Sequence, residues 1–406
     1  MSGQVLFCRM CDSAQLRSYL NLGHMPPADS FLSSKTEVEQ RFPLEVKYCK
    51  DCGLSQLSYV VDPKILYCNN YPYDASTAKT AQKHWQNFAD SICAKRLITK
   101  NDLVVDIGSN VGVLLQAFKN NDTKVLGVDP ASNIAKIAQA NGIETIASFF
   151  TEEVAASIVR KYGRAKIITG TNVFAHIDDL NGLMKAVQIL LKEDGAFIFE
   201  VPYFVNLVKK LQYDTIYHEH LSYISIQPLV KFFKKFNMEI FNIEDQDFHG
   251  GSIRVYVRNR QGKDQSYVID KYLGIEKAAG IYKFETLTKF AAAVEENRTT
   301  LRKLIWGLKR EGRSIAVVSA PAKGMTLLNF CGIDNTVVDF ATEKAKLKIG
   351  KYTPGTRIPV VSDGFLLDKS PDYALLLAWN FADEIIKNNP RYKGRYIIPI
   401  PNPRIV

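Results

Sequence analysis

From Asn101 onward the chain alternates short apolar runs with amphipathic ones, and this alternation constrains the fold more than any other property of the sequence. LVVDIGSNVGVLLQAF reads as a buried strand, a glycine turn and an amphipathic helix, and KVLGVDPASNIAKIAQANG repeats the unit, with Asp129 ending the second strand. AKIITGTNVFAHIDD and GAFIFEVPYF supply the fourth and fifth strands. Strands that alternate with helices pair in parallel through right-handed crossovers, which predicts a doubly wound α/β sheet. MEIFNIEDQD and GSIRVYVRN follow with no helix between them and predict an antiparallel hairpin at one edge. The 406 residues exceed one ordinary core. We expect a small metal-binding module over 1–75, the main sheet over 76–280, and a second α/β domain over 281–406.

The turn after the first strand is Asp106-Ile107-Gly108-Ser109-Asn110-Val111-Gly112. Glycine lets the backbone approach a ligand where a side chain would block it. A nicotinamide dehydrogenase would also want a glycine turn and an acid about 20 residues on. DIGSNVGVL, however, contains no GxGxxG, and its acid stands immediately before the glycines. In this it resembles the class I methyltransferase fold, which binds S-adenosylmethionine. The resemblance implies Asp106 near the methionine ammonium and Asp129 on the ribose hydroxyls. Gly108, Asn110, Gly112 and Asn172 complete the implied cofactor-binding set.

Cys8 and Cys11 form one CxxC pair, and Cys49 and Cys52, followed by Gly53, form another. Two intervening residues let both thiolates of a pair face one ion, and two such knuckles complete a closed, structural zinc site. The 37 residues between the pairs imply an inserted hairpin or loop. Zinc would supply folding free energy to a segment too small for its own core. Cys68, Cys93 and Cys331 have no paired spacing and are expected to be buried thiols. MSGQVLFCRMCD lacks a signal-peptide pattern, and no apolar run approaches the length of a membrane span. A cytoplasmic protein, active as a monomer, is expected.

Just past the fifth strand runs Tyr217-His218-Glu219-His220-Leu221-Ser222-Tyr223, with imidazoles, a carboxylate and phenols in seven residues. Imidazole is suited to taking a proton near neutral pH, and phenols to bonding an oxygen on which charge develops. A solvated loop or a bonded core histidine is the plainer alternative. This loop, however, falls where a doubly wound sheet exposes its ligands.

These features together resemble the sugar C-methyltransferases that act on nucleotide-linked 4-keto-6-deoxyhexoses. The resemblance rests on both knuckles, YPYDAS at Tyr71 to Ser76, TNVFAHIDD, YHEHLSY, and SAPAKGMTLLNFCG near Ala320. YPYDAS departs from the pattern, where a serine pair after a less polar residue would be expected. Such an enzyme removes the weakly acidic hydrogen on carbon 3, beside the carbon 4 ketone, and methylates the resulting enolate. The resemblance implies His220 as the base, with Glu219 orienting or binding nearby and Tyr217 facing the ketone or enolate oxygen. Tyr71, Asn172 and His176 converge from the other segments, and Tyr73 is a further substrate contact. For Asn172 and His176 the plainer alternative is capping of the next helix; for the two tyrosines it is interdomain packing.

In the last third, Ile281 to Gly307 reads as a long amphipathic helix, and SIAVV, TVVDF and YALLLAW as strands of a second sheet without a dinucleotide fingerprint. Lys323-Gly324 at a helix start could meet phosphate, or be a structural turn. Lys351, in KYTPGT, is a second candidate. The sugar nucleotide, dTDP or GDP linked, is expected between the middle and last domains. The net charge of +10 raises nucleic acid as a partner, but the lysines and arginines are scattered over helix faces. A zinc-containing RNA methyltransferase would place an Asn/Asp-Pro-Pro-aromatic element where TGTNVFAH stands. A non-catalytic interaction module would have no use for Asp106, Asp129 and YHEH together.

Overall fold

The protein, described by a computed structural model for residues 2–68, 71–72, 75–76, 79–95, 97–248, 250–261 and 267–406, is organised around three sheets and a small additional strand pair. The largest has seven strands, in the order 238–246, 252–259, 191–202, 165–171, 103–107, 124–129, 145–147. The last five named run parallel, and 252–259 is antiparallel to both of its neighbours. This is the doubly wound sheet with an end hairpin that the apolar alternation predicts. Leu103–Ile107 is buried at every position because helices cover both faces. Its neighbours lie on opposite sides, 124–129 and 165–171, so the strand order reverses there and a crevice opens at the carboxyl ends.

The amino-terminal sheet has the order 222–223, 55–57, 42–49, 16–25, all antiparallel. The strands Leu16–Met25 and Phe42–Cys49 form the hairpin between the knuckles. The fourth strand, Ser222–Tyr223, comes from the YHEHLSY loop, so this sheet is completed by the middle of the chain. On its far side the loop enters the helix Ile226–Lys234, whose first amides donate to the buried carboxylate of Glu276. That carboxylate also accepts from the Tyr203 and Tyr282 hydroxyls.

The helix Phe284–Arg310 buries Leu287, Phe290, Val294, Leu301, Ile305 and Leu308 along one stripe. It leads to a six-stranded sheet in the order 360–362, 341–343, 315–318, 373–376, 395–398, 404–405, parallel except for the last strand. Thr336–Phe340 is not a strand, contrary to the reading of TVVDF. The amides of Val337 and Val338 both turn back to the Asp334 carbonyl, so the ladder begins only at Ala341–Glu343. Both valines remain buried, which accounts for their apolar signal. Cys331 is buried and Cys93 half-buried, but Cys68 is exposed on the turn after Pro63–Tyr67. Among the described residues no helix is long and apolar enough to cross a membrane.

Candidate active site

A cavity of about 930 Å³ opens at the carboxyl ends of 103–107, 124–129 and 165–171. The amino-terminal module contributes Asp29, Tyr67 and Tyr71 to its wall, and the helix and loops around the carboxy-terminal sheet contribute Lys323, Lys348 and Asn380.

At the sheet end, Asp106 is buried and accepts from Thr169 Oγ1 at 2.7 Å. Burial pushes its acidity to about 7, and the nearby Asp129 charge adds to the shift. A carboxylate so poorly compensated suits a cationic ligand. Asp129 accepts the Asn110 amide at 2.8 Å through one oxygen and the Ala131 amide at 2.9 Å through the other. Each oxygen keeps a lone pair, enough for a vicinal diol. Asn110 holds a left-handed backbone at φ 50°, and its Oδ1 accepts from the Ala75 amide at 3.0 Å, tying the YPYDAS segment to the glycine turn. Ser109, next to it, has a buried hydroxyl without a hydrogen-bond partner among the described residues.

The glycines also serve packing. Gly108 lines the cavity at φ 66°, yet a Cβ there would come within 2.3 Å of Val173 Cγ2, so its bareness serves strand-to-turn packing as well. Gly112 is not part of the cavity wall. It begins the helix Val113–Lys119 at φ 81° and lies against Ile143. Asn172 does line the cavity, in a left-handed conformation at φ 57° that costs a non-glycine residue free energy, with its amide donating to the Glu200 carbonyl at 2.8 Å. Neither Asn172 nor His176 caps the following helix. Asp179 does, accepting the Gly182 amide at 2.8 Å.

The histidine loop turns into the same cavity. The His220 ring lies between His176, with centroids 4.9 Å apart, and Tyr217, at 4.0 Å. Its Nδ1 is 2.7 Å from the Thr215 carbonyl, which can only accept, so Nδ1 carries the proton and Nε2 the lone pair. Burial lowers the proton affinity of His220 to about 4; that of His176 falls well below the ordinary value through burial and the adjacent His220. His218 points the other way, against the Phe42 carbonyl at 3.2 Å, and belongs to the amino-terminal core.

Glu219 is buried in the cavity wall, and burial together with the Asp29 charge raises its pKa well above the carboxylate range, against an opposing pull from Lys348. Lys348 pairs with Asp29 at 2.9 Å, both side chains being 5% exposed, and donates to the Ala320 carbonyl at 3.1 Å. The Tyr71 ring meets Tyr67 edge-on at 5.7 Å, and burial beside Glu219 and Asp29 keeps both phenols neutral. Lys323 lies in the cavity wall, bonded to Asn380 and 4.7 Å above the Trp379 ring. Gly324 next to it packs against Leu377, which a Cβ would approach within 2.6 Å.

Lys351 is not brought to the cavity; three residues earlier in the same loop, Lys348 is. Tyr73 lies outside the described residues. Sequence reasoning missed Asp29, Tyr67, Thr215 and Lys348. Only Lys348 carried a signal, as a neighbour of the KYTPGT loop, and Thr215 acts through its backbone.

The four cysteines of the knuckles converge away from this cavity. Cys8 and Cys52 Sγ are 3.5 Å apart, as are Cys11 and Cys49, and the four sulfurs all lie within 4.8 Å of one another. Tetrahedral zinc with Zn–S of about 2.3 Å requires sulfurs about 3.8 Å apart, so the donors fit a closed structural site.

Matching family models cover the chain in three consecutive parts: a zinc binding domain at 8–67, a methyltransferase domain at 79–242, and a C-methyltransferase C-terminal domain at 247–401. The C-methyltransferase NovU of Streptomyces niveus is 37% identical over 98% of this chain and 96% of its own. A ubiquinone biosynthesis O-methyltransferase of Bordetella avium is 28% identical over 24% of this chain and 41% of its own. Among solved structures, an S-adenosylmethionine-dependent methyltransferase from Clostridium acetobutylicum is 17% identical with a TM-score of 0.36, covering 44% of this chain and 92% of that one. By its nearly full-length relation to NovU and its three domain matches, the protein belongs to the C-methyltransferase family, S-adenosylmethionine-dependent enzymes that join a zinc-binding module to a methyltransferase domain.

Proposed function

We propose that the protein methylates carbon 3 of a nucleotide-linked 4-keto-6-deoxyhexose, with His220 removing the carbon 3 proton to form an enolate. The observation that carries this reading is the His220 imidazole, held in one tautomer by the Thr215 carbonyl between two aromatic rings in the cavity wall. Its depressed proton affinity keeps the ring neutral above about pH 5, so Nε2 is available to accept a proton. An enolate forming beside the imidazolium would raise that affinity in the transition state.

Tyr217, and the neutral phenol of Tyr71, can donate to the oxygen on which charge develops. Glu219, pushed toward its protonated form, can do the same or bind a hydroxyl of the sugar. Asp106 would hold the ammonium and Asp129 the ribose of S-adenosylmethionine, which supplies an electrophilic methyl when bound. The nucleotide diphosphate, dTDP or GDP, would extend toward Lys323 and Lys348, where cations already face the cavity.

The test is solvent deuterium entering the ketosugar in the presence of adenosylhomocysteine, so that methylation cannot follow. Wild type should exchange the carbon 3 hydrogen. His220→Asn should lose about 10²–10⁴-fold in exchange and turnover, with methyl-donor affinity near normal. Wild-type exchange in that variant refutes the assignment. Loss confined to Glu219→Gln would make that raised carboxyl the base, and label or methyl on carbon 5 would mean that the other carbon flanking the ketone is the one attacked.

A further inference from the structure

Arg9 lies between the two cysteines of the first knuckle, and its side chain is 2% exposed. Its backbone amide donates to Gln56 Oε1 at 2.9 Å, on the strand paired with Ser222–Tyr223. The guanidinium makes three further bonds. Nη1 donates to the Leu57 carbonyl at 3.1 Å and to the Leu221 carbonyl at 3.0 Å, and Nε donates to Asp178 Oδ1 at 2.8 Å. Leu221 follows His220 directly, and Asp178 stands two residues after His176. One buried planar cation therefore spans the metal knuckle and both segments whose histidine rings stack at 4.9 Å.

We propose that Arg9 is a positioning residue for catalysis, carrying the rigidity of the zinc knuckle to the His176–His220 pair, so that the metal module sets active-site geometry as well as stability. The fork geometry matters. Guanidinium meets acceptors in several fixed directions at once, whereas the compact ammonium of lysine keeps the charge without the span. The knuckle can hold Arg9 still because its two flanking thiolates are bound to one ion. A base misplaced by an ångström costs about a hundredfold in rate, so a modest loosening of this link should be felt in chemistry.

The proposal rests on His220 being the base, and Arg9→Lys in the full, zinc-loaded chain tests the two ideas separately. Zinc content and adenosylhomocysteine affinity should stay within about twofold of wild type. Turnover should fall about 10- to 100-fold with little change in KM. Independently of turnover, proton NMR titration of the ligand-free protein should show the His220 imidazole, assigned by its loss in His220→Asn, moving up toward the ordinary histidine value as water gains access. Among the described residues, the titratable rings packed on that imidazole are His176 and Tyr217, neither of which the substitution alters. A destabilised but otherwise intact site would lose folded fraction and keep the titration of its folded molecules. An unmoved His220 titration, whatever the turnover, overturns the proposal. A moved titration with normal turnover leaves the mechanical link from Arg9 to His220 but overturns its role in catalysis, and removes His220 as the base. Should Arg9→Lys fail to fold, Asp178→Ala, at a side chain 50% exposed, removes the acceptor and cuts only the link to the His176 segment. It should shift the same resonance in the same direction, and its failure to do so is equally decisive.

Discussion

His218 offers a measurement of how the histidine loop is sealed into the amino-terminal sheet. It is 1% exposed, its Nε2 lies 3.2 Å from the Phe42 carbonyl, and its Nδ1 is buried without a hydrogen-bond partner among the described residues. Protonation would place a charge in that buried setting, and burial takes its proton affinity down to about 4 against the opposing pull of the Phe42 and Pro43 backbone. The unfolded chain, at about 6.5, takes up the proton first as the pH falls. The contribution of this residue to stability is therefore intact above about pH 6.5 and is lost progressively toward pH 4. Between pH 7 and pH 5 the loss is about 2 kcal/mol, with a ceiling near 3 kcal/mol in stronger acid. Replacing His218 with Phe removes the titration, keeps an edge contact with the Phe42 ring, and sacrifices the bond to its carbonyl. At pH 7 the variant should be about 1 kcal/mol less stable. At pH 5 the gap should close or reverse sign. Guanidinium denaturation of both zinc-loaded proteins at the two pH values reads this. Comparing variant with wild type at each pH cancels the acid sensitivity of the thiolates and of the remaining histidines. A gap that stays constant or widens on acidification would mean that His218 is not shielded from protonation, and the account of the loop packing would fail.

The metal and cofactor assignments can be tested together. One zinc per chain should be found by metal analysis, and Cys49→Ser should lower both zinc content and thermal stability, because metal binding is coupled to folding of the module; absent zinc with four freely reactive thiols would contradict this. Asp129→Ala should weaken adenosylhomocysteine binding in calorimetry about tenfold or more, through lost hydrogen bonds to the ribose, while sugar-nucleotide binding stays largely intact. An unchanged affinity would move the ribose elsewhere.

The parts readable from sequence were those written in local pattern. Apolar alternation shows strands 103–107 and 124–129, CxxC spacing shows the thiolates that share an ion, and a polar run after a strand shows His220. Ser222–Tyr223 is too short to display an alternation, so its pairing with Ser55–Gln56 left no trace, and with it the role of Arg9. Asp29 and Lys348 meet across more than three hundred residues of sequence, and nothing near either marks the pairing. Val337 and Val338 look like strand residues because burial, which they have, produces the same composition as a ladder, which they lack. KYTPGT points to Lys351, whereas Lys348 is the lysine that lines the cavity, because loop composition locates a loop but not which of its side chains faces inward.

The late arrival of Ser222–Tyr223 in the amino-terminal sheet has a consequence for the nascent chain. Arg9 and Leu221 are separated by 212 residues, so at roughly 5–20 residues per second the ribosome delivers the second partner on the order of ten to forty seconds after the first. Through that interval the strand Ser55–Leu57 is an open edge and the Arg9 guanidinium lacks its Leu221 acceptor, with Asp178 arriving only late in it. Chelation by the knuckles is the cross-link available from residue 52 onward. Zinc supply during translation, more than in the finished enzyme, should therefore govern how much of the newly made chain escapes edge-to-edge association and matures.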